Sequence, residues 1–485
     1  MAVILSSEMI GFGLNFLTTV IVARYLGLAG FGKYSFVLAL VGAFQLIADS
    51  GLNNILVREI SVNRDKLPYQ LGVTKSLIWV FSVIVFILIA IIVNVINIEP
   101  DVRNATYIMG IAVLATVHAI GYSSIFRAME EMEYNAAGFI LHKVLLLAFI
   151  FALIKLRQGL VEIAAAYLVT NILLWFFYYV IISKRYGRPK MVLDLKKWWY
   201  LVFEAVPVGI SSILRKVSWQ VDILILSAIS TKASVGLFSA SYKVVQAMTL
   251  LPQTLTISLF PVFSRLAKKS HQELFDAYER NLKFMCLISV PIVVVLATLS
   301  REIIFIAFGE KFVSSYRALH ILSIAILFLF PSAQFIYLFS ALGKQRLYAI
   351  SSFLSLGINA LLDYILIPRF DFIGACIGTL ASEVLLFGAG VYFLKSIYKK
   401  ISFTKPLWKP LVAGLAMWAV LYQFAGSAPI VMIAGALASL SAFALANIIL
   451  KTLSGSEIAV LKESILFFRK PEKPSAAPAA QGDAE

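Results

Sequence analysis

Apolar runs of about 20 residues recur along this chain as far as residue 450, and that recurrence restricts it to folds that cross a membrane many times. Fourteen such segments fall near 3–24, 34–57, 72–98, 105–126, 136–154, 162–182, 201–228, 235–263, 284–306, 318–341, 347–367, 371–394, 409–426 and 429–450. One run alone is compatible with a signal peptide or a buried core helix, whereas this repetition is not. Backbone polar groups in hydrocarbon must be satisfied within the segment, and the runs lack the alternation of barrel strands, so helices are expected. Hydrophobic residues make up 60% of the chain and charged residues 14%, against roughly 45–50% and about 25% in soluble proteins. The expected class is all-α, a polytopic membrane protein with about 14 transmembrane helices.

Twelve of these segments read as two copies of a six-segment unit. Residues 31–44 align without gaps on 235–248, matching Gly32 to Gly236, Ser35 to Ser239, Val41 to Val245 and Ala43 to Ala247 at an offset of 204. Residues 159–175 align on 371–387, with Leu168, Leu173 and Leu174 on Leu380, Leu385 and Leu386, at an offset of 212. The near agreement of the offsets carries segment 2 onto 8 and segment 6 onto 12, the signature of a duplicated transporter. The expected organisation is an N-terminal lobe over 1–183, a cytoplasmic linker over 184–200, a second lobe over 201–400, two further helices over 401–452 and a cytoplasmic tail over 453–485.

The net charge of +16 invites a nucleic-acid reading, but its distribution excludes one. Lys and Arg in or beside loops after even-numbered segments, with the tail, number 29; those after odd-numbered segments number 10. By the positive-inside rule, the termini and even loops face the cytoplasm of a multi-pass protein of the inner cell membrane. The stretch from Lys184 to Lys197, followed by Trp198, Trp199 and Tyr200, suits an anionic leaflet. Residues 264–283 read as a short amphipathic cytoplasmic helix, 455–469 as a surface helix, and the Pro/Ala-rich end as disordered.

Little chemistry of the enzymatic kind is visible. His118, His142, His271 and His320 lack metal spacing, and Cys286 and Cys376 lie singly in spans 9 and 12. There is no phosphate-cradling glycine loop and no nucleophile elbow. No loop is long enough for a nucleotide-hydrolysing domain. The acids Glu99, Asp101, Glu302 and Glu310 read as solvated loop charges. Neither cofactor nor metal is expected.

Function therefore rests on charges inside the spans, each costing roughly 2.5–3.5 kcal/mol at a helix centre unless it faces a cavity or a partner. Segment 7 holds Arg215, Lys216 and Asp222, and Ser211, Ser212, Arg215, Trp219 and Asp222 share one helical face. Arg215 and Asp222 are about 10 Å apart along the axis, so each needs a different partner. Segment 1 presents a milder stripe, Glu8, Asn15 and Thr18 or Thr19, ending at Arg24. Asp49, Lys243 with Tyr242, and Glu383 complete the set. Asp363, before Ile367-Pro368-Arg369, reads as interfacial.

The run at 22–61, VARYLGLAGFGKYSFVLALVGAFQLIADSGLNNILVREIS, resembles the opening of polysaccharide-biosynthesis membrane proteins of the O-antigen flippase type, in the multidrug/oligosaccharidyl-lipid/polysaccharide superfamily. LPQTLTISLFPVFSRL at 251–266 and GKQRLYAISSFLSLGINALLDYILIPRFDFIGACIGTLASE at 343–383 are similar to later parts of the family. Leu28-Ala29 departs from a common Pro and acidic residue, and Asp363 from a usual Asn. The resemblance implies two six-helix lobes around a cationic central cavity, two extra helices, and alternating access that moves a polyprenyl-diphosphate-linked oligosaccharide across the membrane. Arg215, Arg24, Lys216 and Lys243 would then meet the diphosphate, Trp219, Tyr242 and Asn15 would face the glycan, and Asp222, Asp49, Glu8 and Glu383 would serve coupling to H+ or Na+. Membrane lipids and polysaccharide assembly proteins are the implied partners. Two other readings stay open: an ion-coupled drug or metabolite antiporter of the same superfamily, and a membrane glycan polymerase or glycosyltransferase.

Overall fold

The computed structural model describes residues 2–49, 52–96, 98–188, 190–455 and 457; at 2–6, 46–49, 54, 205–213, 215, 216 and 258 the description is confined to the backbone. Among the described residues there are α-helices and two short 3-10 turns, without strands. The helices run α1 (Ala2–Asp49), α2 (Leu52–Val62), α3 (Leu67–Val95), α4 (Pro100–Ala128), α5 (Met132–Lys155), α6 (Leu160–Tyr186), α7 (Leu195–Ile229), α8 (Lys232–Met248) and α9 (Leu250–Lys269). They continue as α10 (His271–Thr298), α11 (Ser300–Phe308), α12 (Tyr316–Ser332), α13 (Phe335–Ala341), α14 (Gln345–Phe370), α15 (Phe372–Ile397), α16 (Thr404–Tyr422) and α17 (Pro429–Ile449).

All fourteen apolar segments lie on helices, but ten helices among the described residues are long and apolar enough to cross a membrane, or eleven if the bent pair over Lys232–Lys269 is one span. Part of the difference is that α1 carries two segments. Two helices join inside it at a kink at Gly27, whose φ of 68° is open to a residue without Cβ. The separate amphipathic helix expected at 264–283 is absent. Its residues extend α9 and α10 instead, with Ser270 between them accepting a bond from the Glu273 amide as N-cap of α10. Segment 9 likewise ends at Thr298 and α11 starts anew at Ser300. The helix expected at 455–469 and the tail lie outside the described residues, apart from 453–455 and 457.

Loops of one parity gather at one end of the molecule. At the odd end Lys33 pairs with Asp101 at 2.9 Å and with Glu99, and Tyr25 donates to the Gln158 carbonyl at 2.8 Å. At the even end Arg64 reaches Glu130 at 3.8 Å, Arg185 pairs with Glu131, and Tyr398 bonds to Gln272. Exposed pairs of this kind add little stability; they fix which loops are neighbours.

Within the first half α4 packs on α6 and α1 on α5; within the second α14 packs on α15 and α7 on α14. The halves meet chiefly through α1 and α8. One buried apolar cluster runs through both, including Phe31, Val37 and Leu40 of α1 with Val235 and Phe238 of α8. A Cβ built on Gly32 would lie 1.8 Å from the Lys232 carbonyl oxygen, and one on Gly236 would lie 2.2 Å from that of Leu28. The 204-residue offset that pairs Gly32 with Gly236 also pairs Leu28 with Lys232. The contact is thus reciprocal, each glycine receiving the backbone one turn before its counterpart.

At the even end the connection to α7 lies on the first half. The Val192 amide donates to the Gly72 carbonyl at 3.2 Å, Lys197 pairs with Glu59 at 2.6 Å, and Arg58 pairs with Glu204 at 2.5 Å. Asp194 caps α7 by accepting from the Lys197 amide at 3.0 Å. The Tyr69 hydroxyl, with that amide, holds the Asp194 carboxyl below the usual carboxylate range.

Gly32→Ala is expected to open the odd end, because a backbone carbonyl cannot rotate away as a side chain does. Overpacking costs about 1–3 kcal/mol, enough to shift an open–closed equilibrium by about fivefold or more. A short bis-thiol reagent bridging cysteines at positions 24 and 306 should show it as a matching loss of crosslink. An unchanged yield would mean that the contact is not tight.

Candidate functional site

The second half holds a narrow pocket between α7, α8, α12, α14 and α15, with a cavity volume of about 20 Å³, room for about one water. Its polar wall is built on helical spacing. Asp222 comes from α7, Asn359 from α14, and Thr379 with Glu383, one turn apart, from α15. Asp222 is 1% exposed and accepts from Asn359 Nδ2 at 2.8 Å and from Thr379 Oγ1 at 3.2 Å. Trp219 and Tyr242 line the same space, with Tyr242 stacked on Phe238 at a centroid distance of 5.3 Å.

Asp363 corrects the interfacial reading. It is fully buried, one turn after Asn359, with its carboxyl against that of Asp222. Neither Asp363 oxygen receives a bond from a fixed donor among the described residues, which leaves the Asp222 carboxyl as its polar neighbour. Gly378 makes the room, since a Cβ there would lie 2.2 Å from Asp363 Oδ1. Position along the helix suggested an interface; α15 instead covers this face of α14. Two adjacent carboxyls in hydrocarbon require a shared proton or a bound cation. Two carboxylates and a hydroxyl present hard oxygens, with the Asn359 amide as a donor to them, a set suited to a proton or an alkali cation rather than a thiophilic metal.

The cations of the set are dispersed. Arg24 turns to the odd end, where Nε donates to the Ala307 carbonyl at 2.8 Å and a second bond goes to that of Ile306. Its partners are the carbonyls that end α11, the negative pole of that helix. Lys243, half-buried on α8, donates to Gln246 Oε1 at 2.9 Å, and Gln246 lines the pocket. Asn15 accepts from Lys143 Nζ at 3.1 Å. Glu8 is exposed on α1. The side chains of Arg215, Lys216 and Asp49 lie outside the described residues.

Lys143 and Lys75 were missed because both were counted with basic loops. The structure places Lys143 inside α5 and Lys75 inside α3, its ammonium 5.8 Å from the Tyr179 ring centre. Lys143 sits within segment 5 as read from the sequence, so the cost of an intramembrane charge was the available signal.

Residues 1–267 match the family described as "Polysaccharide biosynthesis protein". A Shigella flexneri protein named "Putative O-antigen transporter" is 24% identical over 73% of this chain and 87% of its own length. A Haloferax volcanii protein named "Probable low-salt glycan biosynthesis flippase" is 24% identical over 86% of this chain and 88% of its own. Among solved structures, the lipid II flippase MurJ in its inward closed conformation superposes with a TM-score of 0.77, at 16% identity, over 92% of this chain and 98% of that one. A multidrug resistance MATE transporter in an inward-facing conformation gives 0.64 at 15% identity, over 81% and 96%. At these identities the solved structures establish the fold.

Asn359→Ala leaves the buried Asp222 with Thr379 as its remaining fixed donor. It should lower stability in detergent by about 1–3 kcal/mol, the range for a buried acceptor that loses a partner. Adding Asp222→Asn should recover part of that loss. Equal melting of wild type and Asn359→Ala would show that water already serves Asp222.

Proposed function

This chain belongs to the polysaccharide biosynthesis protein family, and on that premise we propose that it is a flippase for a polyprenyl-diphosphate-linked oligosaccharide, working by alternating access with its even face toward the cytoplasm. It is a multi-pass membrane transporter, as its named relatives are, rather than a glycan polymerase or glycosyltransferase.

One observation carries the substrate class. Lys143 and Lys243 lie inside helices, and each ammonium is held by a neutral amide oxygen, that of Asn15 or Gln246. A carboxylate would cancel the charge; an amide orients it and leaves it for an anionic ligand. Both pairs involve α1 or α8, the helices through which the halves meet. Arg215 and Lys216 on α7 add to this set by sequence. A diphosphate supplies the matching charge, the glycan meets Trp219 and Tyr242 when the narrow pocket beside them widens as the halves part, and the lipid chain stays in the bilayer.

The coupling site in this reading is the Asp222–Asp363 pair, with Asn359 and Thr379 as neutral partners and Glu383 next to it. Uptake of H+ or Na+ there cancels like-charge repulsion between α7 and α14, so ion occupancy is linked to how α7 sits. Because residues 190–204 are tied to the first half, motion of the second half would be taken up along α7 beyond Glu204. The same acid pair suits a drug antiporter, and the substrate's charge separates the two readings.

The test is transbilayer movement of a fluorescent lipid-diphosphate oligosaccharide in reconstituted vesicles. Lys143→Gln and Lys243→Gln should each slow it by about tenfold or more, the worth of a charge-assisted hydrogen bond, and the Arg replacements should retain most of it. Arg215→Ala should abolish movement and Arg215→Lys should keep part. If the Gln variants move the lipid at the wild-type rate while a cationic drug is transported, the antiporter reading replaces this one.

A further inference from the structure

We propose that a cleft at the even end, between α10, α16 and the end of α17, binds the headgroup phosphate of an anionic phospholipid. This site is separate from the acid pair and the lobe interface, and it does not rest on the flippase reading.

The open cleft has a volume of about 480 Å³ and contains four cations, Arg280, Lys283, Lys405 and Lys409. Lys283 is neutralised by Glu457 at 2.7 Å. Lys409 donates to the Lys451 carbonyl at 3.0 Å, which satisfies one proton of its ammonium and none of its charge. Arg280 and Lys405 have no carboxylate partner among the described residues. The two acids in the cleft keep their charge but are turned to neutral donors. Glu279 accepts the Ser402 amide at 2.6 Å and Asp276 accepts from Gln272 at 2.9 Å. Arg280, Lys405 and Lys409 thus face one cleft with no carboxylate within 4 Å among the described residues, and a phosphate between them can take all three as donors.

Its position selects the source of that phosphate. α10 and α16 begin at this cleft and α17 ends at it, which places it where membrane helices leave the hydrocarbon. Trp408, 47% exposed on the cleft wall, is the residue type that favours this level. Further along α16, Leu411, Leu415 and Trp418 are exposed, as are Leu445 and Ile448 on α17. These side chains form an apolar strip running from the cleft toward the bilayer interior, along which acyl chains can lie. A free phosphate would use the cations alone, whereas a phospholipid uses both features. The lipid then fastens α16 and α17, which join the second half through Val290, Ala413, Met417 and Phe443, at the headgroup level as well.

The test is native mass spectrometry of the full-length protein in micelles doped with phosphatidylglycerol or phosphatidylcholine. Wild type should retain phosphatidylglycerol in preference. The triple variant Arg280→Gln, Lys405→Gln, Lys409→Gln should lose that retention by about tenfold or more, since each basic group near an anionic surface contributes. The charge-preserving set Arg280→Lys, Lys405→Arg, Lys409→Arg should keep it, which separates loss of charge from loss of fold. A control with Lys184→Gln, Arg188→Gln and Lys344→Gln removes equal charge elsewhere and should also keep it. Millimolar inorganic phosphate should displace none of the lipid. Retention by the triple variant equal to that of the control would overturn the site, and displacement by phosphate would overturn the lipid as its ligand.

Discussion

The contact between Gly32 and Gly236 is the constraint on which the two-lobed arrangement turns. Where the halves meet, each places a glycine against the other's backbone, and the 204-residue repeat makes the two sides of the contact equivalent. Small residues let membrane helices approach closely, so that dispersion rather than the hydrophobic effect holds them. Such a seam gives up little when it parts, because lipid or cavity water replaces it without stranding a charge. On the odd face the seam is supplemented by Arg24 at the end of α11 and by the rings of Phe31, Phe308 and Phe312. On the even face the supplement is ionic, through Lys197 with Glu59 and Arg58 with Glu204.

Charges inside the helices follow a division that the packing explains. Acids are concentrated in the second half, where Asp222, Asp363 and Glu383 share one pocket wall region with Asn359 and Thr379. The described cations within spans are held by neutral oxygens or aromatic faces, as Lys143, Lys243 and Lys75 are. Neither arrangement is the cheapest way to build a membrane bundle. A direct Lys–Asp pair would cost less to bury. Keeping the charges apart leaves one region able to receive a small cation and another able to receive an anion, which is what coupled movement of an anionic substrate needs.

Much of the fold was legible in the sequence, since apolar length and loop charge depend on local composition. The repeat was legible too, although the alignment of Gly32 with Gly236 did not say that the two would meet. What escaped reading depended on neighbours remote in the chain. Asp363 looked interfacial from its place beside Pro368, and only the cover of α15 over α14 shows it buried. Lys143 was assigned to a loop because charge was counted by proximity, whereas Asn15, 128 residues away, is its partner. Residues 264–283 scored as an amphipathic helix, but one N-cap, Ser270, divides them between two longer helices. The connection to α7 read as a cytoplasmic linker suited to an anionic leaflet, because nothing local reveals that Gly72 and Glu59 receive it.

The central claim is that closure of one face and opening of the other are a single exchange about the glycine seam. Double electron–electron resonance in reconstituted vesicles tests it most directly, with one pair of spin labels across the odd face at positions 157 and 311 and another across the even face at positions 66 and 399. Under ion gradients of opposite direction, the account predicts that the short-distance population of one pair rises as that of the other falls, with the two fractions summing to a constant. Distances that lengthen together on both faces, or that ignore the gradient, would contradict it.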